Sequence, residues 1–63
     1  MNQPNVSIDE MIKEARREVK MRHSVYPRWI DKGHITPKAA NEQIRRMTAI
    51  LEFLEKSKQP TLI

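Results

Sequence analysis

The chain has 63 residues, no Cys and a formal net charge of +4. It is one domain at most, and a single chain of this size buries only about 60% of the surface it exposes when unfolded. With neither a disulfide nor a metal-ligand cluster to compensate, self-association is the remaining remedy, and no cofactor is implied. No apolar run approaches the ~18 residues of a membrane span, and the polar start "MNQPNVSIDE" lacks a signal-peptide layout, so a soluble, cytoplasmic protein with no membrane partner is expected.

Residues 1–6 are polar and read as a disordered N-terminus. The run "SIDE" at 7–10 then has the capping-box pattern, a Ser that caps a helix and a Glu three positions on that reaches back to the capping residue's amide. A first helix therefore starts at Ile8. Its stripe is Ile8, Ile12, Ala15, Val19, Arg22, Tyr26 and Trp29, at alternating spacings of four and three, widened by Met11 and Val25. Arg22 is the misfit, and its aliphatic stem can lie along apolar surface with the charge at the edge. Pro27 removes an amide donor and clashes with the carbonyl four residues back, which leaves two outcomes: a kink near residues 23–27, or a break with Pro27 opening a new short helix. Gly33 supplies the left-handed residue that ends a helix.

The second helix begins at Pro37 behind Thr36 as cap. Its stripe is Ala40, Ile44, Met47, Leu51 and Leu54, flanked by Ala39, Ile50 and Phe53, and residues 58–63 read as a flexible tail after a 7–57 domain. A connection of three to four residues makes the helices antiparallel neighbours. Pairing about residue 34 or 35 sets Trp29 over Ala39 and Ala40, Tyr26 near Gln43 or Ile44, Arg22 near Met47, Val19 near Ile50 or Leu51, and Ala15 near Leu54. The fold class is thus all-α: an antiparallel two-helix hairpin whose turn and core are built by Tyr26, Pro27, Trp29, Gly33, Ala40, Ile44, Met47, Leu51 and Leu54. Met11, Val25, Ile30, Ile50 and Phe53 widen the apolar stripes beyond what one partner helix covers, which points to a homodimer forming a four-helix bundle.

The charge is uneven. Residues 1–12 carry −2, residues 13–46 carry ten Lys or Arg against four carboxylates, and residues 47–63 balance. The candidate partner or nucleic-acid contacts are Lys13, Arg16, Arg17 and Lys20 on the outer face of helix 1, Arg28 and Lys32 near the turn with Lys38 beside them, and Arg45 and Arg46 on helix 2. Phosphate binding needs such charge. Against it, Glu14 and Glu18 interleave with the basic residues at spacings that let them pair with Arg17 and Arg22, and no recognition helix, phosphate loop or aromatic platform is legible. His23, Asp31 and His34 are the only catalytic or metal candidates; Gly33 falls between Asp31 and His34, so their spacing does not place them on one helix face, and neither an enzyme nor a metal site is expected.

The run "MRHSVYPRWIDKGHITPKAANEQIRRMTAILEFL", residues 21–54, resembles a group of small, uncharacterised helical proteins of temperate bacteriophages and prophages. The resemblance rests on Arg22, Val25, Tyr26, Pro27, Trp29, Ile30, Gly33, Thr36, Ala40, Ile44, Met47 and Ile50. It implies a phage or prophage origin and a helical fold, and carries no established activity. The expectation is a non-enzymatic accessory protein in the bacterial host cell, acting by protein–protein interaction with a host or phage partner, the alternative being a basic DNA- or RNA-binding protein.

Overall fold

A computed structural model describes residues 5–58 as two helices, α1 (Ile8–Asp31) and α2 (Pro37–Lys58), joined by residues 32–36. No strand occurs among the described residues. The antiparallel sense is fixed by three contacts whose sequence separation shrinks toward the turn: Lys58 Nζ to Asp9 Oδ1 at 2.6 Å, Arg16 Nη2 to Glu55 Oε2 at 2.9 Å, and Tyr26 Oη to Gln43 Oε1 at 2.8 Å. The last of these is the expected register. The all-α hairpin read from the sequence is the architecture observed.

Each helix end follows from local chemistry. Ser7 Oγ accepts from the Glu10 N–H and Glu10 Oε1 accepts from the Ser7 N–H, both at 3.1 Å, so two otherwise orphaned donors are satisfied reciprocally. At the other end of α1, Gly33 has φ +77°, its N–H donates to the Ile30 carbonyl at 3.0 Å, and the His34 N–H donates to the Trp29 carbonyl at 2.8 Å. That pair of bonds is a Schellman motif, and it needs the positive φ that glycine adopts freely. Thr36 Oγ1 accepts from the Ala39 N–H at 3.1 Å to start α2. The connection runs one residue longer than expected, and α2 extends through Lys58 rather than stopping at residue 57. The disordered N-terminus and flexible tail expected of 1–6 and 58–63 fall, for residues 1–4 and 59–63, outside the described residues.

Pro27 lies inside α1 and does not break it. The His23 carbonyl loses its partner four residues on, but His23 is exposed, so water can take that place. Of the two outcomes at Pro27, a new helix starting there is the one excluded.

Among the described residues only Ile12, Ala15, Tyr26 and Ala40 are buried, and two of those four are alanines. Ile44, Met47, Leu51 and Leu54 are half-buried along the seam. Trp29 is a correction: expected to cover Ala39 and Ala40, it is 44% exposed and stacks on Tyr26 with ring centroids 5.5 Å apart. The reason is the helical period. Trp29 stands three residues after the buried Tyr26, about 60° round the helix from it, and so falls on the flank and not on the seam. Ala40, with 2% exposure, is covered without it. Replacing Trp29 with Ala should therefore cost about 1–2 kcal/mol in denaturant melts, the scale of an aromatic stack plus partial burial, and not the ~3–5 kcal/mol of a buried Trp. A loss in the larger range would return Trp29 to the core.

Candidate functional site

The hairpin has two flanks along its seam, and they differ in chemistry. One is an open groove of about 320 Å³ floored by Met11, Ala15, Met47, Ile50 and Leu54 and edged by Glu10, Glu14 and Glu18. Val6 closes its end. As the residue before the N-cap, Val6 shares this groove with Met11 at the fourth helical position, which is the placement of a hydrophobic staple. The other groove, about 600 Å³, has Val19 and Leu51 as its apolar floor and Lys13, Arg16, Arg17, Lys20 and His23 around it.

The acidic and basic residues that alternate along helix 1 in sequence therefore segregate in space. At about 100° per residue, Glu14 and Glu18 fall to one side of the seam and Lys13, Arg16 and Lys20 to the other. Interleaving, the reason against phosphate binding, holds for the sequence and on the surface is reduced to the Arg17–Glu14 pair. His23, one of the metal candidates, is placed along the basic groove; His34 lies at the turn. His34 contributes its backbone N–H there, as the cap of α1.

Several of the candidate cations already hold a carboxylate. Arg16 bonds Glu55 through Nε and Nη2, Arg17 bonds Glu14, and Glu42 takes both Arg45 and Arg46. The Arg17 guanidinium beside Glu14 holds that carboxyl below the usual carboxylate range, chiefly through the hydrogen bond between them. Arg17 is raised in return. All these pairs are exposed, and exposed pairs contribute ~0–1 kcal/mol each, so they leave the arginines free to change partners. Lys13, Lys20, Arg28 and Lys32 have no ion pair among the described residues.

Arg22 is a different case. Half-buried, it donates from Nε to Glu18 at 3.0 Å and from Nη1 across the seam to the Gln43 carbonyl at 2.9 Å. Gln43 also receives the Tyr26 hydroxyl, so Arg22, Tyr26 and Gln43 form one polar clasp between the helices. Arg22, expected near Met47, reaches the Gln43 carbonyl instead, and the clasp is the feature sequence reasoning missed. Gln43 stood one position from the stripe and was weighed only as a neighbour of Tyr26.

The exposed large apolar side chains are Val6, Met11, Met21, Trp29, Ile50 and Phe53. Met11 and Trp29 stand 18 residues apart, about five full turns, so they share the acid-edged flank. Phe53, 70% exposed, lies one turn from Ile50, itself 50% exposed. Among the described residues, His, Asp and Glu side chains nowhere gather in a group of three that could hold a metal, and no described helix is long and apolar enough to cross a membrane. Compared with protein-family models, with curated proteins and with solved structures, the chain matches none. The class defined by fold and surface is a charge-segregated helical hairpin, and its functional reading rests on that geometry.

Proposed function

We propose that this chain is a small non-enzymatic accessory protein of phage type that pairs with a second copy through its acid-edged apolar flank and acts by binding a host or phage protein in the bacterial cytoplasm. The observation that carries the reading is the exposure of Met11, Ile50 and Phe53 on a hairpin with only four buried residues among those described. A hairpin with so little burial is marginal by itself, and a second copy adds the burial that it lacks. A partner met only occasionally is absent when the chain folds, whereas a second copy is always present. Two hairpins packed on this flank make a four-helix bundle. The phage assignment rests on the resemblance of residues 21–54.

A second reading, a basic DNA- or RNA-binding protein, is favoured by one observation: Glu14 and Glu18 edge the opposite groove from Lys13, Arg16 and Lys20. A gel shift on duplex DNA of random sequence, run beside affinity capture from bacterial lysate, separates the two. With Arg16, Arg17 and Lys20 all converted to Glu, the protein-partner reading expects capture to fall while no gel shift exists to lose. A wild-type shift that weakens by orders of magnitude between about 50 and 200 mM salt would sink that reading and establish the second.

A further inference from the structure

The proposed self-association uses one flank and leaves the basic groove facing outward. We infer that this groove docks an acidic amphipathic helix of a partner protein; the inference rests on the protein-partner reading and assigns it a place on the molecule.

The first argument is the floor. Phosphate recognition uses charge and backbone donors and gains nothing from an apolar strip, yet Val19 of α1 and Leu51 of α2 line the groove beside the α1 cations and are themselves half-buried. A helix laid in a groove uses both features, its apolar stripe on the floor and its charged edge along the basic wall that α1 supplies. The second argument is spacing. Lys13 and Lys20, which have no ion pair among the described residues, stand seven residues apart on α1, about 10.5 Å along the axis. Two carboxylates seven apart on a helix lying alongside repeat at that distance. Arg16 sits between the two lysines with its guanidinium on Glu55, an exposed pair that can accept a further carboxylate. The third is sign. Lys13, Arg16, Arg17 and Lys20 line one groove, while Glu10, Glu14 and Glu18 edge the other, Arg17 alone reaching across to Glu14. An acidic helix meets mostly opposite charge on its approach, Glu55 being held by Arg16, whereas a basic helix meets mostly like charge.

The test uses the full chain and a labelled synthetic helix with a Leu stripe at positions i, i+3, i+4 and i+7 edged by Glu, followed by fluorescence anisotropy. Two controls replace the Leu stripe with Ser, or the Glu edges with Lys. The Glu-edged Leu peptide should bind, both controls should bind at least tenfold more weakly, and Lys13→Glu with Lys20→Glu should weaken binding at least tenfold while helicity by circular dichroism is unchanged. Equal binding of the Ser-striped peptide, or binding indifferent to the lysine reversals, would overturn the groove assignment, as would no binding at all. If capture of a cellular protein then survives in the lysine-reversed chain, the protein-partner reading stands and only the groove is lost. Displacement of the peptide by duplex DNA would overturn both.

Discussion

Tyr26→Ala is expected to remove most of the stability of the fold. Tyr26 is the one buried aromatic, it supports the Trp29 ring, and its hydroxyl reaches Gln43 on the opposite helix. Truncating a buried aromatic costs about 3–5 kcal/mol, against a total of roughly 3–9 kcal/mol for a chain of this length at ~0.05–0.15 kcal/mol per residue. Tyr26→Phe should cost only ~1 kcal/mol, because it deletes one hydrogen bond and leaves the exposed Gln43 amide to water. Chemical denaturation of the two variants decides the matter. The expected result is a steep ordering, with Ala far below Phe and Phe just below wild type. Comparable small losses for both would mean that the seam is held elsewhere.

Phe53→Asp should act on assembly and not on the single hairpin. At 70% exposure the ring contributes little to packing within one chain. In a two-fold assembly the substitution occurs twice, and burying a Phe is worth about 1.5–3 kcal/mol. The loss is then roughly 3–6 kcal/mol, or two to four decades in the dissociation constant. Because a folded dimer is stabilised by mass action, wild-type melting should rise with protein concentration and the variant's should not. A Phe53→Asp chain that melts as the wild type does, at every concentration, would show that the face carrying Ile50 and Phe53 is not an interface.

The elements that were legible in the sequence are those set by local chemistry. Ser7 with Glu10, Gly33, and Thr36 with Pro37 each satisfy backbone groups within a few residues, so reading them requires no knowledge of the partner helix. The register was legible too, because a short connection leaves few ways to pair two stripes, and Tyr26 meets Gln43 as that pairing requires. Trp29 was misplaced because alternating spacings of four and three widen a stripe: one step of three beyond Tyr26 turns about 60° and reaches the flank. The charge segregation was hidden for a related reason: neighbours in sequence are about 100° apart on the surface, so Glu14 and Lys13 look mixed on paper and lie on opposite grooves. Val6 was assigned to a disordered segment although its position before the N-cap, five residues from Met11, carried the staple signal. The clasp of Arg22, Tyr26 and Gln43 was not legible, since one of its acceptors is a backbone carbonyl that any residue would supply.

Self-association through the acid-edged flank is the claim on which the rest depends. Light scattering coupled to size exclusion tests it most directly. The account predicts that the wild-type chain of 7.5 kDa elutes at micromolar concentration with twice that mass, and that Phe53→Asp reverts to one chain. A well-folded wild-type monomer, unchanged across the concentration range, would contradict it.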